Sequence, residues 1–326
     1  MPPHEALGAR VSTLTYRGYT YCARVTPSRQ APRTEPVLLL GGILQDKDSW
    51  RLYELGITDW AGTVTFDLPG LGAADDLPAD HGVDFLTDAL RHALDCLGMP
   101  SVNVVGYSYG ALIAHEFAYT CASRVVRLAL AGIRRADSGM EQAGMDGGAV
   151  DGGGVDAADP GTEELRALDR MLTQGGWDAF APRAADLLTR MEGVAGNTRS
   201  GAVRRLVARQ FLTLPADRVE QYRTNLERLR HALTTHGTVI RADRSGAALQ
   251  VPVLLFTGEG DALTPPHELR EYARGFSDAR VITIGNSGHM VMLERAEECI
   301  DLLRRFFTDA PVEDLSSCTG ASRAKG

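Results

Sequence analysis

"VVGYSYGALIAHEF", residues 104–117, runs two β-branched valines into Gly106-Tyr107-Ser108-Tyr109-Gly110 and then into helical sequence. Val104 and Val105 close the apolar run "VNVV" (102–105), which reads as a buried strand. "ALIAHEFAYTCA" (111–122) reads as a helix. A strand handed directly to a helix makes a sharp turn that forces its central residue into a strained backbone conformation. The flanking positions must be small, because strand and helix pass close together, and Gly106 and Gly110 meet that demand. Such a turn lifts the Ser108 hydroxyl beyond the carboxyl end of the strand, beside a helix N-terminus that favours negative charge. Ordinary turn residues would give the same letters, and with 35 glycines in the chain the pattern alone is weak evidence.

Outward from this turn, strands and helices alternate. "VSTLTY" (11–16) and "YTYCARV" (19–25) read as a hairpin turning at Arg17-Gly18. "PVLLL" (36–40), "TVTFD" (63–67), "VVRLALAG" (125–132), "VPVLLFTG" (251–258) and "ARVITIG" (279–285) read as further strands. Helical patterns fall at 49–61, 83–98 and 296–307; the second places Phe85, Leu86, Ala89, Leu90, Leu94 and Leu97 on one side. This order predicts an α/β fold: an eight-stranded, mostly parallel sheet covered on both faces, with the opening hairpin as an antiparallel edge.

The alternation stops between Ile133 and Gln250. A Gly/Asp-rich stretch (137–161) reads as a flexible linker. It is no phosphate loop, since no strand precedes it and no Gly-Lys-Ser/Thr follows. Four helical stretches come next. The expected organisation is a core of residues 1–133 and 250–309, an all-helical lid over 134–249, and a disordered tail at 310–326.

Bulk properties narrow the function. Net charge is −8 and the sequence pI about 5.5, which gives no basic excess for nucleic acid. No apolar run approaches the ~18 residues of a membrane span. The N-terminus "MPPHEALGAR" has no apolar core of a secretory signal, and the five cysteines are scattered, so a cytoplasmic location is expected. His4, His81, His231, His236 and His267 form no spaced cluster, and His92 and His115 lie on helices; no metal site and no cofactor are expected.

A serine hydroxyl needs a base, and the base an acid to orient it. After the strand at 251–258 comes "EGDALTPP" with Asp261; after the strand at 279–285 comes "NSGHMVML" with His289. Both lie just past strand carboxyl ends, on the same rim as Ser108. With "LLLGGILQDKDSW", "FDLPGLGAAD" and the last helix, these pieces resemble an α/β-hydrolase of the subgroup with a helical lid after the sixth strand. The resemblance covers about two-thirds of the chain and leaves the lid unmatched. It implies Ser108 as nucleophile, His289 as general base and Asp261 as orienting acid; Glu259, beside Asp261, is an alternative acid at a less apt position after the strand. It also implies an oxyanion hole from the backbone amides of Tyr109 and Ile43. The loop holding Ile43 begins Gly41-Gly42 where the family usually has His-Gly. A serine in place of an aspartate points away from epoxide or haloalkane cleavage and toward acyl transfer.

The expected function is therefore a serine hydrolase of carboxylic esters or thioesters. A non-hydrolytic acyl transferase or cyclase with the same three residues is the alternative, and a ligand-binding protein on the same fold is another. The lid carries Leu206, Val207, Phe211, Leu212 and Leu214 beside Arg199, Arg204, Arg205, Arg209, Arg218, Arg223, Arg228 and Arg230. One reading is an apolar acyl pocket with a basic rim for an acyl carrier protein or coenzyme A thioester. The other is solvated helix faces paired with Asp217, Glu220 and Glu227. Tyr107 and Tyr109 either line the pocket or pack against neighbouring strands.

Overall fold

A computed structural model of the 326-residue chain describes residues 8–133, 167, 170–235, 249–312 and 322–325. The strands are β1 (Arg10–Tyr16), β2 (Tyr19–Thr26), β3 (Val37–Leu40), β4 (Thr63–Asp67), β5 (Val102–Tyr107), β6 (Val125–Ala131), β7 (Val253–Gly258), β8 (Asp278–Ile284) and β9 (Ser322–Lys325). They form one sheet in the order β1-β2-β4-β3-β5-β6-β7-β8-β9. From β4 across to β8 neighbours run parallel; β1 and β2 add an antiparallel edge, with Cys22 opposite Asp67. The eight expected strands are all present. The ninth corrects the reading of the tail, because Ser322–Lys325 pairs antiparallel with β8, Asp278 opposite Lys325. The linker expected at 137–161 lies outside the described residues.

Continuous apolar strands fit a sheet buried on both faces, and the pleat divides their side chains between two cores. Leu38, Leu40 and Val104 face one core with α2 (Val83–Cys96), α3 (Tyr109–Thr120) and α7 (Pro266–Ala273). Val37, Leu39, Val105 and Tyr107 face the other with α1 (Arg51–Ile57) and α8 (Ala296–Phe307). Among the described residues, the α-helices between β6 and β7 are α4 (Gly176–Thr189), α5 (Ser200–Leu212) and α6 (Ala216–Thr235). They carry a third core around Phe180, Phe211 and Tyr222, against which Ile43, Leu44, Met290 and Leu293 pack from the loops at the carboxyl edge of the sheet.

Those loops are tied down by buried charge. Asp67, at the end of β4, accepts from the Lys47 amide at 2.8 Å, the Lys47 ammonium at 2.9 Å and the Ala73 amide at 3.1 Å. Arg24 and Glu54, both sealed from solvent, pair at 2.9 Å, and Arg24 also donates to the Lys47 carbonyl and to Asp48. The segment after β3 is thereby fixed from its far end.

Candidate active site

Ser108 stands between β5 and α3 at φ 53°, ψ −118°, a left-handed conformation that a residue with a Cβ adopts only when its surroundings impose it. Both glycines of the turn are required by contact. A Cβ on Gly106 would lie 2.6 Å from the Ala111 Cα and the Ala114 Cβ; one on Gly110 would lie 2.3 Å from the Leu40 carbonyl oxygen. The Ser108 amide donates to the Ala131 carbonyl at 2.9 Å, which ties the strained residue to β6.

Three residues spaced widely in sequence meet here. His289 Nε2 lies 3.1 Å from Ser108 Oγ, and His289 Nδ1 lies 3.0 Å from Asp261 Oδ2. An ionised Asp261 can only accept, so Nδ1 carries the hydrogen and Nε2 is left to accept from the Ser108 hydroxyl. Gly132 lets the imidazole come close to the end of β6: its φ is +59°, and a Cβ there would be 2.9 Å from His289 Cε1.

Asp261 is oriented by a full set of donors. Its Oδ1 accepts from the amides of Leu263 and Thr264, each at 2.9 Å. Its Oδ2 accepts from the Thr257 hydroxyl at 2.7 Å and from the Thr264 hydroxyl. Burial alone would raise its pKa. The opposing charge of His289 and hydrogen bonds from His289 and Thr264 outweigh burial and hold the carboxyl at about 2. Glu259, weighed as a substitute acid, is exposed, and its carboxylate accepts from the Asn286 amide at 3.1 Å instead of reaching His289.

The Gly41-Gly42-Ile43 loop lies beside the serine: a Cβ on Gly42 would be 3.6 Å from Ser108 Cβ. The Gly42 amide donates to Gln45 Oε1 at 2.7 Å and is therefore engaged. Ile43 supplies the next amide along the loop.

Neither tyrosine of the turn is a solvent-facing wall. Both are 2% exposed, and each spends its hydroxyl on a neighbour. Tyr107 donates to the His289 carbonyl at 3.0 Å, bracing the histidine loop; Tyr109 donates to Asn225 Oδ1 of α6 at 3.2 Å. Sequence reasoning missed Thr257, Thr264, Gly132 and Asn225. Thr257 left one trace, a polar residue inside the otherwise apolar run "VLLF" to Gly258.

The arginines of the helical insertion do not behave as one set. Arg199 pairs with Glu297 of α8 at 2.5 Å and Arg204 with Asp186 of α4 at 2.9 Å, acids of other elements and not the expected Asp217, Glu220 or Glu227. Arg228 is buried, whereas Arg205 and Arg209 lie on the exposed face of α5 with Leu206 and Leu212. Among the described residues no group of three or more His, Cys, Asp and Glu could hold a metal ion, and no helix is long and apolar enough to cross a membrane.

A family model for the α/β-hydrolase fold matches residues 35–296, most of the chain. The chain belongs to the α/β-hydrolase family. Solved structures similar to this α/β-hydrolase include an enzyme of the same fold from a Medee basin deep-sea metagenome library, with TM-score 0.69 and 17% identity over 94% of this chain and 100% of that one. Another is the enol-lactonase from Burkholderia xenovorans, with TM-score 0.67 and 19% identity over 91% of this chain and 100% of that one. Among curated sequences, an uncharacterized protein of Mycobacterium tuberculosis is 30% identical over 116 residues, which is 36% of this chain and 33% of that protein. The dihydrolipoyllysine-residue acetyltransferase component of the acetoin cleaving system from Pseudomonas putida is 24% identical over 265 residues, 81% of this chain and 60% of that protein. The matched region thus spans about a third of the first of these relatives and three-fifths of the second.

Proposed function

We propose that this α/β-hydrolase is a serine hydrolase that cleaves a carboxylic ester or thioester through an acyl-enzyme on Ser108. The observation that carries the reading is the unbroken hydrogen-bond chain from Asp261 through His289 to the strained Ser108. Ser108 Oγ attacks the carbonyl carbon while His289 Nε2 takes its proton. Asp261 stays ionised and stabilises the imidazolium that forms. The carbonyl oxygen becomes an oxyanion facing the Tyr109 amide, at the N-terminus of α3, and the Ile43 amide. Two such donors are together worth several kcal/mol, since removing one typically costs about 2.7–4 kcal/mol. His289 then protonates the leaving oxygen or sulfur as the tetrahedral centre collapses. Water, deprotonated by the same imidazole, releases the acid. No step calls for a cofactor.

The aromatic cluster of the helical insertion supports an apolar acyl group. Trp177 stacks on Phe211 at 5.9 Å, and Phe180 and Tyr222 complete the group beside Ile43, Leu44 and Met290. On this reading the insertion is the lid over the site that takes the acyl group. Arg205 and Arg209 beside Leu206 and Leu212 support an acidic carrier, an acyl carrier protein or coenzyme A, as one presenter of the acyl group.

A fluorophosphonate probe tests the reaction class. Wild-type protein is expected to be labelled and Ser108→Ala not; a folded wild type that resists the probe overturns the reading. Acyl transfer to an acceptor other than water is the second reading, favoured by the similarity to an acetyltransferase component over 81% of the chain. Product analysis with and without alcohols, amines and thiols separates the two, and a panel of acyl esters, lactones and acyl-thioesters identifies the substrate class.

A further inference from the structure

Helix α6 presents Gln221, Asn225 and Arg228 along one face, at i, i+4 and i+7, toward the core of the molecule. Asn225 and Arg228 are each 1% exposed. The Arg228 guanidinium donates through Nε to the His81 carbonyl at 2.6 Å and through Nη2 to the Leu77 and Pro78 carbonyls at 2.8 and 2.9 Å. Through Nη1 it donates to Asn225 Oδ1. No carboxylate pairs with it among the described residues. A buried cation held only by neutral oxygens depends on the geometry of every one of them.

Asn225 passes that geometry on. Its Nδ2 donates to the Gly70 carbonyl at 2.6 Å and the Gln221 carbonyl at 2.9 Å, which fixes the amide plane. The Oδ1 so oriented accepts from the Tyr109 hydroxyl at 3.2 Å as well as from Arg228. Burial drives the Tyr109 phenol to a raised pKa even against the nearby Arg228 charge, so it stays protonated and donating. Gly70 is needed where the loop passes this group: its φ is +79°, and a Cβ there would come within 2.9 Å of Leu77 Cβ and 3.7 Å of Arg228 Nη1. The insertion, the loop after β4 and the residue following Ser108 therefore meet at one hydrogen-bonded node.

We propose that Arg228 is a positioning residue of the site: through Asn225 it fixes the side chain of Tyr109, and with it the backbone amide that receives the oxyanion. The proposal rests on the serine-hydrolase reading. On this account α6 is part of the catalytic frame, and a change more than one residue removed from the substrate lowers kcat while leaving KM nearly unmoved.

The test is a double-mutant cycle with Tyr109→Phe and Arg228→Lys, measured as kcat and KM on a p-nitrophenyl acyl ester that the wild type turns over, with thermal melts to establish folding. Tyr109→Phe removes one phenolic oxygen and is expected to lower kcat about tenfold, less than the ~100-fold cost of a 1 Å misplacement. KM is expected to stay within about twofold, since the pocket that binds the acyl group is untouched. Arg228→Lys, which keeps the charge and loses the fork, is expected to lower kcat in the wild type and to have little further effect in the Tyr109→Phe background. Losses that multiply independently overturn the proposal, because a merely structural arginine would act regardless of Tyr109. So does a folded Tyr109→Phe protein with unchanged kcat, and that single variant decides the matter if Arg228→Lys does not fold. A wild type that neither turns over esters nor reacts with the fluorophosphonate would instead overturn the underlying reaction class.

Discussion

Replacing Gly110 by alanine inserts one methyl group where strand β3 passes the Ser108 turn. The new Cβ would lie 2.3 Å from the Leu40 carbonyl oxygen, 2.5 Å from the Gly41 carbonyl oxygen and 2.5 Å from the Leu40 carbonyl carbon. Real Cβ atoms essentially never approach a heavy atom within 3.0 Å, so turn and strand must separate by at least about 0.7 Å, the difference between 3.0 and 2.3 Å. Every atom in the way is backbone, so no side-chain rotation relieves it. Leu40 and Gly41 lead straight into Ile43, and the separation therefore opens the gap between the two amides assigned to the oxyanion. Overpacking of this kind costs about 1–3 kcal/mol of stability. A displacement near 1 Å costs on the order of 100-fold in rate. We expect Gly110→Ala to melt several degrees lower, fold at 25 °C, and lose ~100-fold in kcat on an acyl ester. Gly201→Ala is the control: the glycine sits in exposed α5, where a Cβ would meet only Arg205 Nη1 at 3.6 Å. That substitution should gain about 0.5–1 kcal/mol from helix propensity and leave kcat alone. A Gly110→Ala enzyme with wild-type kcat would refute the idea that this contact sets the oxyanion geometry.

Other expectations follow from the same geometry. Asp261→Asn keeps the shape of the side chain but removes the charge that, in the proposed mechanism, orients His289 and stabilises the imidazolium; kcat should fall by ~10⁴-fold with the fold retained, as read by circular dichroism. Because the folded Asp261 carboxyl holds its proton less tightly than an unfolded one, its stabilisation is complete above pH ~4 and is lost as pH falls through about 2. Urea melts should therefore show the advantage of wild type over Asp261→Asn shrinking between pH ~5 and pH ~2; a gap that widens on acidification would contradict the cited shift. Arg24→Met strands the buried Glu54 carboxylate and should cost about 3–5 kcal/mol, whereas Arg24→Met with Glu54→Leu should recover most of it, by chemical denaturation.

Much of this fold was legible because its signals are local. Four-to-eight-residue apolar runs alternating with amphipathic helices specify a parallel sheet, and all eight expected strands occupy their expected stretches. The glycines of the turn were legible for the same reason, since close passage of a strand and the next helix is a property of neighbouring residues. The edge strand Ser322–Lys325 was not, because its short polar sequence carries no strand pattern and its pairing depends on an exposed edge of β8.

At the site, the chain itself supplied Ser108, Asp261 and His289, each just past a strand, and strand polarity alone sends all three to one rim. What only tertiary structure decided was the environment that makes them a unit. The two threonines on Asp261 are its sequence neighbours, four and three residues away, turned onto its carboxylate by the fold of the loop, whereas Gly132 beside His289 comes from a separate segment. So do the Tyr107 hydroxyl on the His289 carbonyl and the Tyr109 hydroxyl on Asn225. Hydrogen bonds spanning 182 and 116 residues leave no periodicity in a sequence, because their partners are chosen by packing and not by spacing. The two tyrosines around Ser108 show this most directly: the sequence placed them beside the serine, and the folded chain turned one toward the His289 loop and the other toward the helical insertion.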